Sequence, residues 1–319
     1  MKKYVNIIVK EKNPLEGDVY QLILSNPSGD SLPSFTPGSH IELKTPNGLY
    51  RHYSLIGHGT TPNEYELGIK RMNNGRGGSI EIVDHLEIGQ EIQVSVPENF
   101  FSLDPATEYL FIAGGIGITP ILSMIEYLRD IGHENFHLIY CTRSLAQTPY
   151  LSRIRQLIKP EQLTLHHDEG SISQQMDFWP FLAEPKDGFI YCCGPSAMME
   201  DIKGMTGHWE EGSVRFEDFG STPSQVLFTS DENTSFAVKH ATTGNIYQIP
   251  QDKTILESLR DQGISLPSSC ESGTCGTCLV HVIEGKPDHR DFILDSTRQE
   301  SEILICISRS KSPILVLDW

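Results

Sequence analysis

The chain has 319 residues, of which 38% are apolar and 21% are charged, and its formal net charge is −17. At roughly 100–200 residues per domain, this length predicts two or three domains of an ordinary globular protein. The acidic charge argues against a nucleic-acid partner, because binding to phosphate requires a basic surface.

The N-terminus and the cysteine count bear on location. The basic start, Met1–Lys10, contains no apolar stretch long enough for a signal peptide. No window approaches the roughly 20 apolar residues of a membrane span. Seven cysteines are an odd number and do not form a disulfide framework, which favours a reducing compartment. We therefore expect a cytoplasmic protein with no membrane partner.

Residues 1–103 are predicted to form a small β-barrel. Short β-branched or alternating runs, bounded by turn residues, are typical of strands, and several at this spacing indicate a barrel. The predicted strands are Val5–Val9, Val19–Leu24, His40–Lys44, Tyr65–Lys70 and Glu91–Val96. One helix is predicted from Ser79 to Leu86, with Ser79 as its N-cap.

Two motifs in this barrel have the residue types of a binding site. Arg51-His-Tyr-Ser54 places a cation, an aromatic ring and a hydroxyl within four residues. Arg76, Gly77, Gly78 and Ser79 open the predicted helix, and a glycine-rich turn with an arginine at a helix N-terminus can cradle a phosphate. Taken alone, the first motif is better explained as an ordinary surface strand with a half-buried tyrosine, and the second as an ordinary loop and helix cap.

Residues 104–220 change character and are predicted to form a doubly wound α/β domain. Strands and helices alternate, which indicates a parallel sheet with helices on both faces. The predicted strands are Tyr109–Ala113, Phe136–Tyr140, Leu163–His166, Gly188–Cys192 and Ser213–Phe216, with helices after Pro120, near 148–158, near 174–183 and after Cys193.

A glycine turn follows the first of these strands. Gly114, Gly115 and Gly117 could cradle a pyrophosphate at the carboxyl edge of the sheet, although the full G-x-G-x-x-G fingerprint is absent. Thr119 is predicted as the N-cap of the next helix, with Pro120 at its first position.

Residues 221–232 are rich in small and polar side chains and are predicted to be a linker to a third unit, 233–319. In this unit Thr254-Ile-Leu-Glu257 is a capping box, and its helix is expected to end at Gly263. The surrounding predicted strands are Ser235–His240, Asn245–Ile249, Cys278–Ile283 and Glu302–Cys306.

Four cysteines in the third unit have a characteristic spacing. Cys270, Cys275 and Cys278 form Cys-x4-Cys-x2-Cys, and Cys306 is a distant fourth thiol. This is the plant-type spacing of a [2Fe–2S] cluster. Structural zinc or a disulfide are the alternatives, but zinc sites usually combine two Cys-x2-Cys pairs and only one is present.

Taken together and in this order, the motifs resemble the phthalate dioxygenase reductase family, the flavin and iron–sulfur reductases that supply Rieske oxygenases. The resemblance covers nearly the whole chain, and reductases for vanillate demethylation and carnitine oxygenation share the layout. It is carried by Arg51–Ser54, Gly75–Ser79, Gly114–Pro120, Cys193–Pro195 with Met198, Phe216–Gly220 and the four cysteines.

The resemblance implies a flavin site in the barrel. Arg51 would bind the flavin phosphate, Tyr53 would pack on the flavin, and the Ser54 hydroxyl would lie near flavin N5. Arg76, Gly77, Gly78 and Ser79 would complete the phosphate site, and Phe219 resembles the aromatic residue that covers the flavin face. The Gly-Arg-Gly-Gly-Ser form is similar to the FMN branch of the family, so FMN is favoured over FAD.

It also implies a dinucleotide site. Gly114, Gly115, Gly117 and Thr119 would receive the dinucleotide. Cys193, followed by Gly194 and Pro195, would lie beside the nicotinamide, which makes Cys193 and Ser54 the catalytic candidates. NADH is favoured over NADPH, because Arg143 is a single cation after its strand rather than a cluster for a 2′-phosphate.

The fold that the resemblance implies is a flavin-binding β-barrel, a doubly wound α/β domain and an α+β β-grasp ferredoxin domain. The implied function is the monomeric reductase component of a Rieske-type oxygenase, which passes electrons from NADH through FMN and the cluster. The partner surface would surround the cluster loop, where we expect Glu271, Thr274 and Thr277 to be exposed.

Two other functions stay open at this point. One is a stand-alone FAD-containing NAD(P)H oxidoreductase that reduces a different redox partner. The other is a non-enzymatic ferredoxin-like carrier or zinc module.

Overall fold

The computed structural model describes residues 3–73, 77–219, 233–264, 266–268, 271, 273, 276–291 and 293–319. The chain forms two compact units, Met1–Glu217 and Asp218–Trp319. The predicted linker 221–232 lies outside the described residues. None of the described helices combines the length and the apolar character that a membrane crossing requires.

The first unit begins with a closed six-stranded barrel, as predicted from the spacing of short strands. The strands follow the order β1-β2-β5-β4-β3-β6 around the barrel, and every neighbouring pair is antiparallel. They are β1 (Tyr4–Pro14), β2 (Val19–Ser25), β3 (His40–Lys44), β4 (Tyr50–Ile56), β5 (Glu64–Lys70) and β6 (Glu91–Ser95).

The barrel interior is filled by aliphatic side chains from alternate strand positions, among them Ile7, Leu22, Ile41, Leu67 and Val94. Because side chains alternate between the two faces of a strand, the residues between them point outward. A single turn of helix, α1 (Gly78–Ile80), continues as a π-helical turn, Glu81–His85. The two turns cover the segment that the sequence predicts as one helix.

The second part of the first unit is a five-stranded parallel sheet in the order β11-β10-β7-β8-β9. Its strands are β7 (Tyr109–Gly114), β8 (Phe136–Thr142), β9 (Leu163–His167), β10 (Phe189–Cys193) and β11 (Val214–Glu217). Its helices are α2 (Ile118–Asp130), α3 (Leu151–Leu157), α4 (Trp179–Leu182) and α5 (Ser196–Met205).

The strand order reverses between β7 and β10, because the chain builds outward from β7 in one direction and then returns to its other side. Ligands of such sheets bind at the carboxyl ends of the strands beside this switch point. Leu110 and Ile112 of β7 pack against Met199 and Ile202 of α5, while the intervening Phe111 points to the opposite face and is fully buried. The sheet is therefore covered on both faces, as predicted.

The second unit contains a mixed sheet in the order β13-β12-β18-β14-β16 and a two-stranded β15-β17 ribbon. The strands are β12 (Phe236–His240), β13 (Ile246–Ile249), β14 (Leu279–Glu284), β15 (Pro287–Asp288), β16 (Glu302–Leu304), β17 (Arg309–Ser310) and β18 (Ile314–Asp318). The helices are α6 (Ile255–Asp261) and α7 (Ser296–Gln299).

Helix α6 packs Ile255, Leu256 and Leu259 onto the sheet. Its predicted capping box is present: the Thr254 hydroxyl accepts from the Glu257 N–H at 2.9 Å, and the Glu257 carboxylate accepts from the Thr254 N–H at 2.9 Å. Two orphan donors of the helix start are thereby satisfied. A helix clasped by a mixed sheet is the β-grasp arrangement that the resemblance implies.

Arg309 is a buried cation that hydrogen-bonds to two separate segments of the second unit. Its side chain is 2% exposed and donates to the carbonyls of Lys253, Thr234 and Pro250, the last two at 3.0 and 3.1 Å. The guanidinium also lies over the Phe236 ring, 5.1 Å from its centre. Burial lowers the pKa of Arg309, and the charge of Arg290 lowers it further.

Replacing Arg309 by Met should destabilise the second unit by about 3 kcal/mol, because it leaves buried carbonyls without a donor. The exposed Lys311, two residues away, provides the control Lys311→Met, which should be near neutral. Denaturant unfolding of the full chain measures both. Equal stability of the two variants would contradict this account of Arg309.

Candidate functional site

The outer end of the barrel holds an arginine packed across a glycine. A Cβ built on Gly78 would lie 2.5 Å from Arg51 Nε and 2.6 Å from Arg51 Cγ. Only glycine allows this approach, so the Arg51 side chain crosses the first turn of α1. Gly77, the N-cap of α1, has a φ of +79°, which favours glycine for a second, conformational reason. The predicted Arg51, Gly77 and Gly78 are therefore brought together, and the cationic turn fits a phosphate.

Ser79 is not the N-cap of the helix that follows, so that prediction is wrong. The N-cap is Gly77, two residues earlier in the chain. The Ser79 hydroxyl instead accepts a hydrogen bond from the Met72 N–H at 3.1 Å. Ser79 thus closes the loop between β5 and α1. Arg76 lies outside the described residues.

Ser54 is joined to a carboxylate that sequence reasoning missed. The Ser54 hydroxyl, 3% exposed, donates to Oε2 of Glu217 at 3.3 Å. Glu217 is the last residue of β11 and is 8% exposed. The two positions are 163 residues apart, and only the end-to-end packing of the barrel and the parallel sheet brings them together.

Tyr53 lies in the first unit and Phe219 in the second. Tyr53, on β4, packs in part against the barrel interior, and burial raises the pKa of its hydroxyl although the charge of Arg51 opposes the shift. Phe219 lies two residues beyond the end of β11 and is half-buried.

The carboxyl ends of β7 and β10 pack through their glycines. A Cβ on Gly117 would lie 2.1 Å from the carbonyl oxygen of Cys193, and one on Gly114 would lie 2.5 Å from Cδ of Pro195. A Cβ on Gly194 would lie 3.0 Å from Cα of Gly114. The two predicted turns therefore form one cluster at the switch point, where Cys193 is the fully buried last residue of β10.

Thr119 lies in this cluster but does not cap α2, so its predicted capping role is wrong. A 3₁₀ turn, Gly115–Gly117, precedes the helix and moves the N-cap to Gly117. The Thr119 hydroxyl instead donates to the Ile116 carbonyl at 3.1 Å. Thr119 thereby stabilises the turn from within the first turn of α2.

Tyr140 and Lys70 are two further residues that the sequence did not reveal. The buried Tyr140 hydroxyl lies 3.1 Å from the carbonyls of both Gly115 and Pro149, and so holds the glycine turn to the chain before α3. The Lys70 ammonium lies 4.0 Å from the Cβ position of Gly115. Burial lowers the pKa of Lys70, and the charge of Arg143 lowers it further, so Lys70 is a cation beside this turn with a second cation near it.

The second unit contributes the cysteines. Cys278 and Cys306 are buried, at 3% and 1% exposure, while Cys270 and Cys275 lie outside the described residues. Gly273, in the loop before Cys278, has a φ of +80°, and its Cβ position lies 2.8 Å from Ile307 Cγ2. Gly273 thus lies against the neighbour of Cys306, and both described cysteines of the predicted cluster are buried.

The remaining cysteines have structural surroundings. No disulfide joins any two of the described cysteines. Burial raises the pKa of Cys141 to about 12, so this thiol stays protonated near neutral pH.

Glu271, expected to be exposed, is instead half-buried and pairs with Arg260 at 2.7 Å. Thr277 is also half-buried, and Thr274 lies outside the described residues.

Three domain families match successive parts of the chain. Residues 6–102 match an oxidoreductase FAD-binding domain, residues 111–204 match an oxidoreductase NAD-binding domain, and residues 238–311 match a 2Fe-2S iron-sulfur cluster binding domain. These matches coincide with the barrel, the parallel sheet and the mixed sheet.

Full-length relatives match as well. The chain is 41% identical over 317 residues to the phthalate 4,5-dioxygenase oxygenase reductase subunit of Pseudomonas putida, covering 99% of this chain and 97% of the relative. It is 36% identical to the tetrachlorobenzoquinone reductase of Sphingobium chlorophenolicum, with 98% of each covered.

Among solved structures, phthalate dioxygenase reductase, described as a modular structure for electron transfer from pyridine nucleotides to [2Fe-2S], matches with a TM-score of 0.71 and 39% identity over 99% of this chain and 98% of that one. The sequence similarity and the fold thus agree. The chain is an oxidoreductase with flavin-binding, NAD-binding and [2Fe–2S] domains, and it belongs to the phthalate dioxygenase reductase family.

Proposed function

We propose that this protein is the reductase component of a Rieske-type oxygenase, which takes electrons from NADH onto FMN and delivers them through a [2Fe–2S] cluster. The observation that carries the proposal is the buried Ser54–Glu217 pair, which joins the flavin-type barrel to the carboxyl edge of the nucleotide-type sheet. The full-length similarity to an oxygenase reductase subunit supports the choice of partner.

For the flavin we propose FMN. Arg51 across Gly78 gives one cationic turn, which would hold a terminal phosphate, with Gly77 and Ser79 shaping its rim. The matching domain family is described by FAD, so FAD is the specific alternative. Release of the flavin by acid, followed by mass measurement, distinguishes the two.

Ser54, Glu217 and Cys193 would organise the reacting end of the site. A bound flavin supplies the conversion between two-electron and one-electron transfer, which the side chains cannot provide. Because the Ser54 hydroxyl donates its hydrogen bond to Glu217, the Ser54 oxygen would be left as a hydrogen-bond acceptor for the flavin. Glu217 is a buried side chain that would orient the Ser54 hydroxyl. The buried Cys193 would shape the nicotinamide side, and Phe219 would exclude water.

The dinucleotide would lie on the cluster of turns at Gly114, Gly115, Gly117 and Thr119. The Lys70 ammonium lies 4.0 Å from the Cβ position of Gly115 and would attract the diphosphate, and the nearby charge of Arg143 would add to this attraction. We propose NADH as the donor. A comparison of kcat/KM for NADH and NADPH tests this choice, and a preference for NADPH would contradict it.

Replacing Lys70 by Gln should raise the KM for NADH about fivefold, the equivalent of about 1 kcal/mol for one charge-assisted contact, with little change in kcat. The control is Lys10→Gln, since Lys10 pairs with Glu64 at the other end of β5. Steady-state kinetics with ferricyanide measure both variants. An unchanged KM in Lys70→Gln would remove Lys70 from the dinucleotide site.

The four cysteines Cys270, Cys275, Cys278 and Cys306 would hold the cluster, which passes one electron at a time. Reduction of a panel of oxidised Rieske proteins by the holoenzyme and NADH tests the partner. Reduction of at least one member is expected, and failure with every member would contradict the proposal.

The second candidate function is a stand-alone reductase of a small acceptor. The similarity to a relative named tetrachlorobenzoquinone reductase favours it. NADH-dependent reduction of substituted benzoquinones with a higher kcat/KM than for any Rieske protein would support this alternative.

A further inference from the structure

Strand β5 of the barrel presents one edge of the barrel–sheet interface within the first unit. Since side chains alternate along a strand, Glu66, Gly68 and Lys70 share one face. A Cβ on Gly68 would lie 2.7 Å from Cγ2 of Thr119, at the start of α2. The barrel–sheet interface is defined here by Glu66, Gly68, Thr119, Glu126, Tyr150 and Arg153.

Arg153, on α3, connects both sides of this interface. Its Nη1 donates to both carboxylate oxygens of Glu66, at 2.8 and 2.9 Å. Its Nε lies 2.6 Å from Oε1 of Glu126, on α2. The two carboxylate side chains are each 15% exposed, and the Arg153 side chain is 33% exposed. One guanidinium therefore joins a barrel strand to two helices of the parallel sheet.

The charges make Arg153 necessary to this arrangement. Burial raises the pKa of Glu126, and the charge of Arg153 offsets part of the rise. Burial also opposes the charge of Arg153, but the attraction of Glu66 and Glu126 exceeds it, so the pKa of Arg153 is raised. Without the guanidinium, two largely buried carboxylates would face each other and repel.

The two carboxylate partners of Arg153 lie on β5 and on α2, the helix that follows the glycine turn. Glu66 is two residues from Gly68 on β5, and Glu126 is seven residues, or about two turns, from Thr119 on α2. A rotation of α2 against β5 would therefore displace Thr119 and the glycine turn relative to the barrel.

We propose that Arg153 is a positioning residue for electron transfer from the nicotinamide to the flavin, which acts by fixing α2 and its glycine turn against β5 of the barrel. This inference rests on the proposed function. It predicts that loss of Arg153 slows the transfer step more than it weakens nucleotide binding, because the contacts of the dinucleotide with its own turn are unchanged.

The test compares four holoenzymes by anaerobic mixing with NADH: the wild type, Arg153→Met, Arg153→Lys and Arg155→Met. Arg155 is exposed on the same helix and provides the matched control. The limiting rate of flavin bleaching should fall about tenfold or more in Arg153→Met, since small misplacements are costly to oriented reactions. The NADH dissociation constant should rise by no more than the roughly fivefold effect expected for loss of the Lys70 contact. Arg153→Lys should recover part of the rate.

Amide hydrogen exchange provides a readout that needs no turnover. Exchange in β5 and the first half of α2 should accelerate in Arg153→Met and not in Arg155→Met. If Arg153→Met does not fold, Glu66→Gln takes its place, since it keeps the Arg153–Glu126 pair and should slow bleaching in the same direction.

A wild-type bleaching rate in Arg153→Met, or in Glu66→Gln where that variant replaces it, would overturn the role of Arg153. So would a change confined to the NADH dissociation constant. Absence of bleaching in the wild-type holoenzyme would instead overturn the proposed function, so the two failures are distinguishable.

Discussion

Replacing Cys306 by Ala should remove the cluster and abolish electron delivery to one-electron acceptors, while NADH still bleaches the flavin. Cys306 is buried beside Ile307, and Ile307 lies against Gly273, which precedes Cys278 in the chain. Loss of a residue that only supports a metal ligand costs up to about 100-fold in activity. Because Cys306 is predicted to be a ligand itself, cytochrome c reduction should fall by at least this factor.

The control for this experiment is Cys141→Ala. Cys141 is a half-buried thiol on β8 in the first unit, and it should keep both the iron and the cytochrome c activity. Iron and acid-labile sulfide content, with the visible spectrum, are measured together with activity. Full iron content in Cys306→Ala would exclude this residue as a ligand.

Replacing Gly117 by Ala should produce the second large effect, loss of NADH binding and a marked drop in stability. The new Cβ would lie 2.1 Å from the Cys193 carbonyl oxygen and 2.5 Å from its carbonyl carbon. Both atoms belong to the backbone of β10, which cannot move without disturbing the sheet. The φ of Gly117 is −60°, so the cost is steric rather than conformational. We expect about 3 kcal/mol or more.

Gly204→Ala is the matched control, because Gly204 lies in α5 with nothing within 4 Å of its Cβ position. That variant should be neutral or slightly stabilising, by up to about 1 kcal/mol. Thermal unfolding and NAD⁺ titration are measured on both. Wild-type stability and affinity in Gly117→Ala would contradict the close packing of the two turns.

The barrel, the parallel sheet and the mixed sheet could be predicted from sequence, because each has a local signal. Alternation marked strands such as β5, the apolar run before Gly114 marked β7, and Thr254 with Glu257 marked the start of α6. These signals depend on neighbouring residues and survive tertiary packing.

The remainder of the site depends on packing between distant segments. Glu217 is 163 residues from Ser54, and no pattern within the sequence of β11 indicates their contact. In the sequence, Lys70 is only the last residue of a strand. Its proximity to Gly115 is seen only in the folded structure. The start of α2 also involves a distant segment, since the 3₁₀ turn that moves its N-cap to Gly117 lies against Cys193.

The glycines after β7 have a packing role in addition to the predicted binding role. The turn Gly114–Gly117 was interpreted as a pyrophosphate cradle, and the structure shows that Gly114 and Gly117 are required first by contact with Pro195 and Cys193. Substitution at these positions therefore reports on the packing of β7 against β10 as well as on nucleotide binding. Gly115 has a φ of +55° and no backbone atom within 4 Å of its Cβ position, where the Lys70 ammonium lies at 4.0 Å, so it is the position at which the two effects separate.

Anaerobic titration of the holoenzyme with NADH, followed by visible and low-temperature paramagnetic resonance spectra, tests the central claim most directly. We expect uptake of about three electrons per chain, two on the flavin and one on the cluster. A colourless protein that contains zinc and no flavin, or a flavin that is reduced with no signal from a reduced cluster, would contradict the account.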